Sequence, residues 1–261
     1  MTPAPFRAPV PIVDCHGHLG VHPDFPAYKT EPEEMLEVMD ALNIERLAIT
    51  STLACYSDAP RGNAEVAACL ARHGDRFLGY VTVNPHPRGE AVRELERWAD
   101  WHRPPLIKMH PDLHQAPVEA AGYRPVWEYA DANGGIVLVH TWDSDGNCGP
   151  LRLLPIARAY PGARIILGHS GVTWRGYEQA MVVARQAPNT YLDLSGSQAH
   201  RGILERCVAE VGAERILFGS DMPYLEAAAP LGRVLAAQLP EAAKTLILRG
   251  NFCRLLGEAA A

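Results

Sequence analysis

The sequence predicts an α/β protein folded as a closed (β/α)8 barrel. Strand-like and helix-like segments alternate about eight times along 261 residues, a rhythm that fits the barrel's usual length. Several strands are continuously apolar rather than alternating, as strands covered on both faces are. A doubly wound open sheet, the rival architecture, should carry a glycine-rich phosphate loop after an early strand. Here the first strand runs instead into His16-Gly17-His18-Leu19-Gly20.

The elements follow in order. Pro11 to Leu19 is the first strand. Thr30 as N-cap with Glu33 three residues on predicts a capped helix, and Met35, Leu36, Val38, Met39 and Leu42 give it one apolar face. Arg46 to Ser51 is a strand, Asn63 to His73 a helix, and Phe77 to Val83 a strand closed by Asn84-Pro85-His86-Pro87. Glu90 to Trp101 is helical. Pro105 to His110 is a strand stopped by Pro111, and Tyr123 to Ala132 a helix stopped at Asn133-Gly134-Gly135. Ile136 to His140, Arg164 to His169, Thr190 to Leu194 and Arg215 to Asp221 are the remaining strands. Between them lie helices over Leu151 to Tyr160, Tyr177 to Gln186 and Gly202 to Val211. The tail, Leu231 to Leu239 and Ala242 to Leu256, is helix with a break near Gly250. No linker or low-complexity stretch divides the chain, so residues 1–261 form one domain.

Composition narrows the function. With 48% hydrophobic and 21% charged residues the chain is not a disordered one. A net charge of -6 without a Lys/Arg cluster argues against nucleic acid or an anionic membrane as partner. No apolar run reaches the roughly 20 residues of a membrane helix. Met1 to Pro9 lacks the apolar core of a signal peptide, so a cytoplasmic location is expected. Six scattered cysteines without a CxxC pair are read as free, mostly buried thiols, with Cys148 to be watched because it follows a site strand.

Polar residues collect at the C-terminal ends of strands: His16 and His18, Lys108 and His110, His140, His169 and Asp221. A barrel opens all those ends onto one mouth, where active sites sit. The i, i+2 spacing puts both imidazoles of the first strand on one face. One strand-end histidine is an ordinary hydrogen-bonded residue. Imidazoles and a carboxylate from several strands together suit Zn²⁺ or another divalent first-row metal. Asp221 alone would pass for a helix N-cap before Met222-Pro223. Lys108 shares a face with His110, so one lies deeper in the barrel than the other.

The His-x-His of the first strand, Leu138-Val139-His140, ILGHSG over 166–171, LFGSDMP over 217–223 and the closing NFCRLLG resemble the amidohydrolase superfamily. More narrowly they resemble its amidohydrolase-2 branch of TIM-barrel metal-dependent hydrolases, which includes relatives of aminocarboxymuconate-semialdehyde decarboxylase. KMHP over 108–111 and VNPH over 83–86 fit that branch too, and the resemblance runs nearly end to end. It implies a metallo-dependent-hydrolase barrel with His16, His18, His140 and Asp221 as metal ligands. His169 would bind the activated water, the substrate or a second metal. In other branches a fourth-strand lysine is carboxylated and bridges two metals, a role open to Lys108. The KxHP setting is closer to the one-metal branch. One divalent metal is therefore expected, Zn²⁺ first, with Mn²⁺ or a second ion, held through Lys108, His110 or His169, as alternatives.

The leading functional reading is hydrolysis of a small carboxylated or cyclic substrate. Asp221 would take the proton of a metal-activated water and return it to the leaving group. His169 would orient that water or steady developing charge. Lys108 or Arg61 would hold a substrate carboxylate, and Trp142 and Trp174 would wall the pocket. The loops over 53–61 and 141–150, with Tyr56, Asp58, Asp143 and Asp145, would select the substrate. The alternative is non-oxidative decarboxylation, in which an acid protonates carbon; the compact chain favours hydrolysis. A non-catalytic barrel that merely binds metal is a third possibility, less consistent with a carboxylate in the ligand set. Homo-oligomerisation is expected from the resemblance alone.

Overall fold

The computed structural model describes residues 6–86, 89–143, 146–198 and 200–258. Its sheet is all parallel. β1 (Ile12–Leu19), β2 (Ile44–Ser51) and β3 (Phe77–Gly79) form one ladder. β4 (Val81–Thr82), β5 (Leu106–Met109), β6 (Ile136–His140), β7 (Arg164–Gly168), β8 (Thr190–Asp193) and β9 (Ile216–Leu217) form the other, in chain order. β3 and β4 are one barrel strand interrupted at Tyr80, whose N–H still donates to Ile49 O at 2.9 Å. After Leu217 the chain leaves regular strand geometry yet stays bonded to β1. Cys15 N–H donates to Phe218 O at 2.9 Å, Asp221 N–H to His16 O at 2.8 Å, and His18 N–H to Met222 O at 2.8 Å. Those bonds close the ring, and the (β/α)8 barrel predicted from the alternation is the fold.

Period-2 placement separates an inner from an outer layer. Ala48, Leu106, Ile136, Leu138, Ile166 and Leu217 pack inside, plugged from below by Phe252, Cys253 and Leu255. Their neighbours Leu47, Ile49, Ile107, Val137, Val139, Ile165 and Leu167 pack outward in the larger core shared with the helices. On β1 the parity changes. Val13 and Cys15 belong to the inner cluster, whereas farther along His18 lines the cavity and His16 is buried beside Lys108. The β1–β2 register slips between Asp14 and Gly17, which is where the switch occurs. An irregularity of this kind re-aims side chains at a barrel rim.

Several element boundaries differ from the sequence reading. The first helix covers Pro32–Leu42 and is capped by Glu31, not Thr30; the box partner is Glu34, which accepts from Glu31 N–H at 3.3 Å. Proline favours the first helical position, and that choice moves the cap one residue on. The stretch over 53–61, expected as a loop, is mostly helix: Thr52–Tyr56, then Ala59–His73 with the Asp58 side chain accepting from Arg61 N–H at 3.0 Å. The expected break near Gly250 is a wide π-type turn, Leu246–Gly250, inside continuous helix. The last strand is Ile216–Leu217, shorter than Arg215 to Asp221, and Asp221 beyond it takes a left-handed backbone, φ 63°. All six cysteines are free and buried, as expected. No helix among the described residues is long and apolar enough to cross a membrane. Pro87, Asp145 and Met1 to Pro5, which entered the sequence reading, lie outside the described residues.

Where the third strand is interrupted, a side chain substitutes for the ladder. His102 Nε2 accepts from Gly79 N–H at 2.9 Å. Burial lowers the His102 pKa to about 4 from the usual 6.5. The unfolded chain therefore takes up this proton first as pH falls. Stability from neutral His102 is present above pH 6.5 and lost on the way down to about pH 4, an effect of about 2–3 kcal/mol. In urea titrations at pH 7 and pH 4, wild type should lose that much more than His102→Gln, which keeps an acceptor without a titrating ring. Equal losses would show that His102 is not a source of the acid sensitivity.

Candidate metal centre

The inner residues nearest the strand ends are polar, and they floor a cavity of about 450 Å³. Lys108 follows Leu106 on the inner face of β5 and is fully buried, while His110, two residues on, is nearer the mouth. His140 ends β6 on the same face as Leu138. His169 follows β7 with φ 61°, and Asp221 follows β9. The seven residues singled out in the sequence thus meet at one place. His16 and His169 ring centroids are 4.7 Å apart, His140 and His169 4.9 Å, His16 and His18 5.2 Å, and His110 stacks on His140 at 4.0 Å.

Two groups among the described residues bring candidate ligand atoms within 4.8 Å of one another: His16, His18 and Asp221, and His16, His169 and Asp193. His18 Nε2 lies 2.9 Å and His16 Nε2 3.6 Å from Asp221 Oδ1. Asp193 is differently placed. Its Oδ2 is 2.6 Å from His16 Nδ1 and accepts from Ser195 Oγ at 2.6 Å and His169 N–H at 3.1 Å, while Oδ1 accepts from Ser195 N–H at 2.8 Å. Asp193 Oδ2 is thus surrounded by three protein partners, which leaves it less open to an ion than Asp221. The first set, with one neighbour, is the better candidate. His140 belongs to neither compact group and stands beside His169.

Burial controls the charges here. It pushes His16 and His18 well below the usual imidazole range, and Lys108 adds to the effect on both. Burial does the same to His140, reinforced by His169, and to His110, reinforced by His140. His169 is lowered by burial with Asp221 opposing. Burial also lowers Lys108 and raises Asp221. Lys108 Nζ sits 2.9 Å from His16 Nε2. Beneath the site Asp14 Oδ1 accepts from His16 N–H at 3.0 Å and Ser220 N–H at 3.1 Å, and burial raises its carboxyl to about 8.

The walls are aromatic. Tyr224 stacks on His18 at 4.1 Å and on Phe25 at 5.8 Å, and Tyr56 hydroxyl bonds His22 Nε2 at 2.7 Å. Trp142 and Tyr56 line the cavity as expected. Trp174 does not: it is 41% exposed on the helix Trp174–Gln186, with Arg206 over its ring. Arg61 is exposed in the first turn of the helix Ala59–His73 and Asp58 caps that helix, so neither faces the cavity. His22, Phe25, Asp112, Tyr224, Asp193 and Ser195 were not singled out in the sequence.

Residues 13–257 match the family model Amidohydro_2, amidohydrolase. The chain belongs to the amidohydrolase family. It is an enzyme of the amidohydrolase-2 branch, as the sequence motifs implied. A structure of 2,6-dihydroxybenzoate decarboxylase from Rhizobium is similar at 20% identity and TM-score 0.78, over 95% of this chain and 99% of that one. 5-Carboxyvanillate decarboxylase from Sphingomonas paucimobilis gives 18% identity and TM-score 0.73, over 96% and 100%. A dihydroxybenzoic acid decarboxylase from Polaromonas with bound manganese and 2-nitroresorcinol gives 19% and 0.76, over 95% and 97%. At those identities the likeness is one of fold. No curated protein matches by sequence. For an amidohydrolase, the donor set found here fits a divalent metal. Its imidazoles are held neutral, the form that ligates, and a carboxylate lies among them.

Proposed function

We propose that this amidohydrolase is a metal-dependent non-oxidative decarboxylase of small aromatic or unsaturated carboxylic acids. The observation that carries the reading is a ligating His/Asp floor under a cavity walled by Phe25, Tyr56, Trp142 and Tyr224. Flat rings suit flat substrates, since offset stacking adds to the area buried. The decarboxylases named among the structural neighbours support the same choice, the one weighed second from sequence. His16, His18 and Asp221, with His140, would hold the ion. When bound, a divalent ion supplies Lewis acidity toward substrate oxygens.

The chain's own residues do the rest. Lys108, the one amine among the cavity residues, is placed to meet an acidic oxygen of the substrate. The carboxyl group leaves as CO₂, its bonding pair stays on carbon, and an acid of the cavity floor delivers a proton there. Asp221 and His169 both face that space. The same placement of Asp221 supports a second reading, hydrolysis, in which it accepts a proton from water.

The test is a panel assay with Mn²⁺- or Zn²⁺-loaded protein in D₂O. Hydroxybenzoates and muconate-type acids run beside lactones, amides and esters. CO₂ release with one deuterium on the product carbon is expected. Turnover of the second group without CO₂ would replace this reading with hydrolysis.

A further inference from the structure

Behind the cavity floor lies a pair of side chains that the metal and the substrate would not touch. Asp193 and Ser195 are fully buried at the end of β8. Four donors converge on the Asp193 carboxylate: His16 Nδ1–H, His169 N–H, Ser195 N–H and Ser195 Oγ–H. A carboxylate accepts hydrogen bonds and has none to donate, so each of these partners is the donor. The Ser195 hydroxyl has one proton, and it goes to Asp193 Oδ2 at 2.6 Å. The hydroxyl oxygen then accepts, and the ring nitrogens in front of it are His169 Nδ1 at 2.8 Å and His16 Nδ1 at 3.0 Å, the latter shared with Asp193. His169 must therefore carry its proton on Nδ1. By the direct bond of 2.6 Å, so must His16.

We propose that Asp193, acting directly on His16 and through Ser195 on His169, is the positioning residue that sets the tautomer of both imidazoles. Both then present a bare Nε2, His169 at the cavity and His16 toward Lys108 and Asp221 in its floor. On His16 that lone pair is the ligating one, and Lys108 Nζ at 2.9 Å marks its direction. On His169 it is the atom that accepts or returns a proton. One carboxylate thus prepares a ligand and a proton carrier together, across 177 residues of sequence from the first. Carboxylates behind ligating histidines act in this way on single rings; here a serine extends the reach to a second one.

The inference rests on the site assignment above but not on the reaction, and its test reads the rings themselves. In metal-free protein with ¹⁵N-labelled histidine, long-range proton–nitrogen correlation should show His16 and His169 as Nδ1–H tautomers. Ser195→Ala should release His169 to a mixture while leaving His16 and Mn²⁺ affinity within about threefold. Ser195→Thr, which keeps the hydroxyl, should restore His169. Asp193→Asn should disturb both rings and weaken Mn²⁺ binding about 10–100-fold in chelator competition, with unchanged circular dichroism. An amide cannot accept on both sides, so it cannot copy the four-donor arrangement. Unchanged tautomers in Ser195→Ala, or wild-type Mn²⁺ affinity in folded Asp193→Asn, would overturn the proposal. If Asp193→Asn does not fold, the Ser195 pair decides it alone.

Discussion

Asp221→Asn is expected to lower turnover by about 10²–10⁴-fold, the range that a positioned acid–base group supplies. The substitution is well isolated from folding. Asp221 has φ 63°, a left-handed backbone that asparagine shares easily and alanine does not. The amide fills the same volume, and the backbone bond from its N–H to His16 O at 2.8 Å is untouched. What changes is the charge beside His18 Nε2 at 2.9 Å and the capacity to hold a mobile proton. Burial already penalises that charge, which is why the carboxyl is raised. The thermal midpoint of the metal-free variant should then stay level or rise, while Mn²⁺ affinity and kcat fall. His16→Ala should lose metal in the same assay, at an added cost from the cavity it leaves. Retained metal and activity in both variants would sink the assignment of His16 and Asp221.

That assignment was legible in the sequence because each residue interrupts or ends an apolar strand. A histidine after Val139 or Leu167-Gly168, or an aspartate after Phe218-Gly219-Ser220, stands out against its neighbours. Asp193 carries the same signal, an acid closing Tyr191-Leu192, yet it was absorbed into a strand running to Leu194. A single strand-end acid looks like a turn residue until a partner is known, and its partner, His16, lies at the other end of the chain. Ser195 gives no signal of its own. The aromatic wall was half legible: Tyr56 and Trp142 follow strands, whereas Phe25 and Tyr224 come from irregular stretches where periodicity says nothing. Arg61 and Trp174 were drawn toward the site by sequence proximity to it, but helix geometry turned them outward. The fold itself needed less. Eight apolar strands with helices between them leave few ways to bury both faces.

The glycine before Ser220 tests how tightly this floor is packed. Gly219→Ala should be among the most damaging small substitutions in the chain, although it adds one methyl group. Gly219 needs no left-handed backbone, so alanine meets no conformational penalty there. The obstacle is space. A Cβ at this position would overlap Asp193 Oδ1 and come within 3.0 Å of the Asp193 Cγ and the His16 Cβ. A flexible neighbour would swing aside, but Asp193 is held by four donors and His16 by Asp193, Lys108 and the β1 backbone. Relief must come from rotating the carboxylate off its donors or displacing β1 from β9. Overpacking of this kind costs about 1–3 kcal/mol. Either route also moves His16, so Mn²⁺ affinity should drop together with the urea midpoint. Gly232→Ala is a fair control, since the nearest atom to its Cβ is Phe6 Cζ at 3.6 Å, an ordinary contact. Wild-type metal affinity in Gly219→Ala would mean that the Asp193 carboxylate can turn freely, and the site would then be far less preorganised than its hydrogen bonds imply.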